Sequence, residues 1–129
     1  MYSNLDYVKR GIRFINNTTF SGSKKISTLM LYGTDLCDSG CKHCLIWAKR
    51  PVKHLKFEKI VEIMNSKCVS KSTLVGLEGG EFLLHPEADK ILEWFSKNHP
   101  NFDLLSNCLV PDSVINAVKK YPPKRLYIS

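Results

Sequence analysis

The sequence predicts an α/β fold on a parallel sheet, and three observations carry that prediction. Short apolar segments rich in strand formers alternate with amphipathic segments of helical period. Glycine follows two of the apolar segments, at Gly33 and Gly79-Gly80, while Pro86 and Pro111 open helical segments and Pro122-Pro123 stops one. The chain has 129 residues, 43% hydrophobic and 24% charged, the make-up of one ordinary domain able to bury a core.

The elements follow in order. Residues 4–15 read as a helix because Leu5, Val8, Ile12 and Ile15 recur at helical spacing, with Ser3 and Asp6 as a capping pair and Lys9, Arg10 and Arg13 on the other face. A polar stretch over residues 16–25 leads into a first strand at 26–32. Phe57, Ile60, Val61 and Met64 mark a helix, and residues 73–77 a second strand. Ala88, Ile91, Leu92 and Phe95 form the core stripe of the next helix, followed by a strand at 102–105. Val114, Ile115 and Val118 face inward on a last helix before a fourth strand at 125–129. This succession implies right-handed βαβ crossovers, and in such sheets chemistry gathers at the C-terminal ends of the strands. Residues 1–25 are therefore expected to be a helix and lead-in, and residues 26–129 the core. Because the chain stops in its fourth strand with an apolar edge, a fragment is expected.

Composition narrows the functional classes. No stretch approaches the about 18 consecutive apolar residues of a membrane span, and residues 1–15 lack the apolar run and cleavage site of a signal peptide, so the expected setting is the cytoplasm with no membrane contact. The net charge of +7 is spread along the chain rather than held in one block, which leaves either a solvated basic surface or a nucleic-acid partner open.

An odd count of five cysteines in a chain without a signal peptide argues against a disulfide framework. Three of them, Cys37, Cys41 and Cys44, fall within eight residues on the loop after the first strand, in a CxxxCxxC spacing with Gly40 among them. Thiolate is a soft ligand that suits both iron–sulfur clusters and zinc. Structural zinc needs a fourth ligand; no second cysteine pair follows, though His43 and His54 are available. A cubane cluster on three cysteines leaves one iron open to a substrate or cofactor. Cys68 and Cys108 stand alone and are read as packing residues, and Trp47 either shields the cluster from water or is a surface aromatic.

The CxxxCxxC segment after a first strand resembles the signature of the radical S-adenosylmethionine (radical SAM) superfamily, and the match continues downstream. Residues 77–86, with Gly79-Gly80-Glu81, resemble the family's glycine-glycine-glutamate segment. Ser106-Asn107 stands where the family often has Thr-Asn-Gly, and residues 126–129, ending in Ser129, look like the strand-four segment that supplies a polar residue to the cofactor.

The resemblance implies the first half of a partial (βα)₆ TIM-like barrel, whose later strands lie beyond residue 129, so that this chain alone is expected to be inactive. It implies that Cys37, Cys41 and Cys44 each ligate one iron of a [4Fe–4S] cluster, that the fourth iron is chelated by the amino nitrogen and carboxylate oxygen of S-adenosylmethionine, and that Gly79, Gly80 and Glu81 contact the methionine amino group. One-electron reduction would then give methionine and a 5′-deoxyadenosyl radical that abstracts hydrogen from the substrate. A donor such as reduced flavodoxin or ferredoxin is the implied partner. The substrate stays open, with a peptide or small molecule preferred over RNA.

Four positions depart from the family pattern. His43 sits where an aromatic ring often packs near adenine, and either stacks there or faces solvent. Glu78 replaces a small or hydroxyl residue, as a second acceptor or a strand-edge charge, and Phe82 replaces a proline. Cys108 stands where glycine is expected, so a positive φ there would be strained. The leading expectation is a radical SAM enzyme; the alternative is a structural zinc module on a basic domain that contacts nucleic acid.

Overall fold

A computed structural model describes residues 3–20, 22 and 24–129. The chain runs α1 (Asn4–Thr19), β1 (Thr28–Thr34), α2 (Phe57–Met64), β2 (Leu74–Gly79), α3 (Ala88–Asn98), β3 (Phe102–Ser106), α4 (Asp112–Lys120) and β4 (Arg125–Ile128), with 3₁₀ turns at Ile46–Ala48 and Phe82–Leu84. The strands are parallel and lie in the order β1-β2-β3-β4. These are successive (βα) units of a partial TIM-like barrel preceded by an N-terminal helix, as the sequence predicts.

Strand side chains alternate between faces, and the two faces of this sheet differ in kind. Leu31, Val75, Leu77, Phe102 and Leu104 point one way and pack with Ile60 and Met64 of α2, Ile91, Leu92 and Phe95 of α3 and Ala117 of α4. At about 1.5–3 kcal/mol for each fully buried apolar side chain, this layer is the main stabilising element. Phe82, in the second 3₁₀ turn, is fully buried in the same core and stacks on His85, so the ring that replaces the family's proline is a packing residue. The opposite face carries Thr28, Met30, Tyr32, Gly76, Glu78, Asp103, Leu105, Arg125 and Tyr127, and no helix of the described residues covers it.

The structure corrects several boundaries. α1 runs to Thr19, since residues 16–19 contain no breaker and the Thr18 hydroxyl donates to the carbonyls of Phe14 and Ile15. β1 continues past Tyr32 to Thr34 because pairing with β2 resumes beyond an irregularity at Gly33. Pro111 sits at the N-cap of α4, and Pro86 precedes α3, so both stand just outside the helices they introduce.

α1 turns its polar side to the domain. Leu5, Val8, Ile12 and Ile15 are 54–59% exposed, whereas Arg13 is buried and its Nη1 donates to the Ile26 carbonyl at 3.1 Å. The Asn17 amide brackets Lys25 through its backbone, and Asp6 pairs with Lys124 at 3.0 Å, so the helix lies below the starts of β1 and β4. The capping box of Ser3 and Asp6 is present. The Ser3 backbone N–H first, and Lys124 second, hold the Asp6 carboxyl down to about 2. Cys68 is exposed on the turn before β2, not packed. No helix among the described residues is long and apolar enough to cross a membrane.

Two buried histidines tie loops to the sheet. His85 accepts from the Glu87 N–H through Nδ1, which leaves its Nε2–H to donate to the Leu55 carbonyl at 3.0 Å. His99 Nε2 bonds the Thr73 carbonyl at 2.7 Å. Burial lowers the pKa of both below 6.5. A base whose folded pKa is lowered binds fewer protons in the folded than in the unfolded state, so its stabilising contribution is complete above pH 6.5 and is lost as the pH falls below that value. Urea unfolding followed by circular dichroism should therefore give a lower midpoint at pH 5.5 than at pH 7.5. The double variant H85N/H99N should flatten that dependence. An unchanged slope in the variant would mean the histidines are not its source.

Candidate functional site

The chain leaves β1 along a path fixed by backbone contacts. The Gly80 N–H donates to the Thr34 carbonyl and the Glu81 N–H to the Leu36 carbonyl, each at 2.7 Å. There is no room for side chains on this seam: a Cβ on Gly79, whose φ is +143°, would lie 2.5 Å from the Thr34 carbonyl oxygen, and one on Gly80 would overlap the Leu36 carbonyl. The two glycines are thus required by close approach to the β1 exit. Gly40, within the cysteine loop, has open space where a Cβ would be and no positive φ, so the loop does not depend on glycine there.

Side chains complete the brace. The Thr34 hydroxyl bonds His54 Nδ1 at 2.8 Å and accepts from the Leu36 N–H. Buried Asp35 holds Lys49, whose Nζ lies 2.9 Å from Oδ2 and 3.0 Å from Oδ1. Trp47 Nε1 donates to the Cys41 carbonyl at 3.3 Å, bracing the loop from its downstream side.

Across the sheet end, Glu81 is only 1% exposed. Its Oε1 accepts from the Leu83 N–H at 3.0 Å and its Oε2 from the Asn107 N–H at 2.8 Å, so two backbone donors compensate the buried carboxylate. The Asn107 amide nitrogen in turn donates to Asp38 and Ser39, both at 2.7 Å, which ties the end of β3 to the cysteine loop. The Ser106 hydroxyl accepts from the Cys108 N–H. Cys108 has φ +58°, the left-handed conformation that the missing glycine would have supplied.

These contacts enclose a cavity of about 240 Å³ at the C-terminal ends of the strands. Cys37, Cys41, His43 and Cys44 line it from the loop after β1. Gly79, Gly80 and Glu81 line it from β2, Ser106 and Asn107 from β3, and Ser129 from beyond β4. All ten residues named from the sequence thus meet in one cavity. His54 does not line it, being held by Thr34. Sequence reasoning missed Ser39, Ile46 and Leu105, which also line it. Leu105 was findable, since on a strand it shares a face with Asp103; nothing in the spacing marked Ser39 or Ile46.

The family model of the radical SAM superfamily matches residues 31–129. The chain belongs to that superfamily. No curated protein and no solved structure matched the chain. Radical SAM proteins generally use a [4Fe–4S] cluster with S-adenosylmethionine, and the donor set here fits such a group: Cys37, Cys41 and Cys44 are free thiols on the wall of one cavity. Among the described residues no three His, Cys, Asp or Glu side chains converge as the ligands of a single metal ion must. A cluster asks for no such convergence, because each thiolate binds its own iron.

Two predictions test this local architecture. Gly80→Ala should destabilise the chain by more than about 2 kcal/mol in chemical denaturation, because backbone rather than a flexible side chain fills the space. Gly40→Ala should stay within about 0.5 kcal/mol of the parent. Cys108→Gly should raise stability by about 1 kcal/mol by relieving the left-handed residue, and Cys108→Val should lower it; the reverse order would refute the assigned conformation.

Proposed function

We propose that this chain is the cluster-bearing core of a radical SAM enzyme, in which Cys37, Cys41 and Cys44 hold a [4Fe–4S] cluster and the adjoining residues bind S-adenosylmethionine. When bound, the cluster supplies the electron for reductive cleavage of S-adenosylmethionine, which starts radical chemistry on a substrate. The observation that carries this reading is that three free thiols share one cavity with Gly79, Gly80, Glu81, Ser106, Asn107 and Ser129, contributed by the ends of successive strands.

The chain's own residues have separable tasks in this reading. Glu81 presents a carboxylate already fixed by two backbone donors, with lone pairs left for the amino group of methionine. Asn107 keeps the cysteine loop against the end of β3. His43, on the cavity wall, stacks near adenine, and Ile46 and Leu105 exclude water from the reacting centre. Residues 26–129 form the first four strands of the radical SAM core, and residues 1–25 are its lead-in. The electron comes from a donor such as reduced flavodoxin or ferredoxin, which meets the cluster on the side of exposed Cys41. A reducing cytoplasm keeps the five thiols free.

Anaerobic reconstitution with iron and sulfide tests the reading. The chain should take up about four iron and four sulfide. Cys37→Ala, Cys41→Ala and Cys44→Ala should each lose most of that iron, whereas Cys68→Ala, at an exposed position away from the cavity, should keep it. Stoichiometric zinc in place of iron, or uptake indifferent to the three cysteines, would contradict it.

A further inference from the structure

The uncovered face of the sheet forms a second hollow of about 340 Å³, lined mainly by apolar groups that include Met30, Leu74 and Leu105. It adjoins the cysteine cavity directly: Leu105 lines both, and Glu78 of the hollow precedes Gly79 of the cavity in the chain. Charge in the hollow is unevenly settled. Asp103 and Arg125 face each other across β3 and β4 and pair at 2.7 Å, neutralising one another. One row nearer the cavity stand Tyr32 and Glu78, paired across β1 and β2, and Leu105 and Tyr127, paired across β3 and β4.

Glu78 is therefore the one formal charge of that row. It is partly buried, and no hydrogen bond or ion pair with the described residues engages its carboxylate. The carboxylate leans inward over the floor of the hollow, since Oε1 lies 3.4 Å from where a Cβ on Gly76 would be, with the Met30 sulfur 2.8 Å from the same point. A carboxylate with no protein partner, set among apolar groups, is complementary to a cationic ligand that carries an apolar body.

We propose that Glu78 is the specificity residue of a substrate site in this hollow, and that the substrate presents an ammonium or guanidinium group on an apolar body. This rests on the proposed radical SAM function, because it is the adjoining cavity that makes the hollow the place where substrate lies. Glu78 grips the cation while Met30, Leu105 and Tyr127 pack on the apolar part, which brings that part to the Leu105 wall shared with the cysteine cavity.

The test uses the full chain, reconstituted anaerobically and kept oxidised with S-adenosylmethionine present. Three probes of one shape are titrated, 4-phenylbutylammonium, 4-phenylbutanol and 4-phenylbutyrate, while the methyl NMR signals of Met30 and Leu105 are followed. The ammonium probe should bind tightest and shift both signals. Glu78→Gln should weaken it about tenfold, and Glu78→Asp should retain most of the affinity. S-adenosylmethionine affinity should be the same in all three proteins. Equal affinity for the three probes, or a Glu78→Gln protein that binds the ammonium as the parent does, overturns the proposal. So does a Glu78→Gln protein that loses S-adenosylmethionine but not the probe, since Glu78 would then serve the cofactor. If no cluster forms, the functional reading fails by itself, and the same titration on the metal-free chain still decides Glu78.

Discussion

Two backbone hydrogen bonds, from Gly80 to Thr34 and from Glu81 to Leu36, fix where the chain goes when it leaves the first strand. Everything at the working end of the sheet depends on that seam. It is tight because neither Gly79 nor Gly80 has a side chain to hold the strands apart. With the path of residues 34–36 set, the cysteine loop starts in register with the end of β2, and the brace of Asp35 with Lys49 and of Trp47 with Cys41 fixes its return. The loop needs these struts because it is largely exposed and has little apolar surface of its own to bury.

Glu81 couples that seam to the third strand. A carboxylate 1% exposed would be unfavourable without partners, and here the partners are backbone N–H groups from two different segments. Their arrangement converts a cost of burial into positional order: Leu83 begins the turn into α3, and Asn107 hands the constraint on to Asp38 and Ser39. The cavity is thus walled by elements that are mutually bonded before any ligand arrives, the condition for a preorganised site. The helix-covered face of the sheet supplies the stability, and the open face carries the hollow that adjoins the cysteine cavity.

Most of the fold was legible because hydrophobic period is a strong signal wherever an element has one buried face. The stripe Ala88, Ile91, Leu92 and Phe95 named every buried residue of α3, and α2 spans the residues its spacing marked. α1 shows where that signal misleads: its apolar stripe is exposed, and the side that docks is read through Asp6, Arg13 and Asn17, whose hydrogen bonds leave no mark in hydropathy. The candidate site was legible in its residues but not in its mechanics. The double glycine reads as a place for a ligand, yet its missing side chains face the β1 exit; Asn107 reads as a cofactor contact, yet its amide spans to the cysteine loop. Cys108 is the reverse case. The family pattern gave the conformation, and the chain adopts it with a residue that does not favour it.

In the proposed function three cysteines hold a cluster and leave one iron for S-adenosylmethionine. The most direct test is the electron paramagnetic resonance spectrum of the reduced, reconstituted chain, recorded with and without S-adenosylmethionine. The expected result is a [4Fe–4S] signal whose g-values change when S-adenosylmethionine is added. A cluster signal that ignores saturating S-adenosylmethionine, or no cluster signal from a chain that carries zinc, would contradict it.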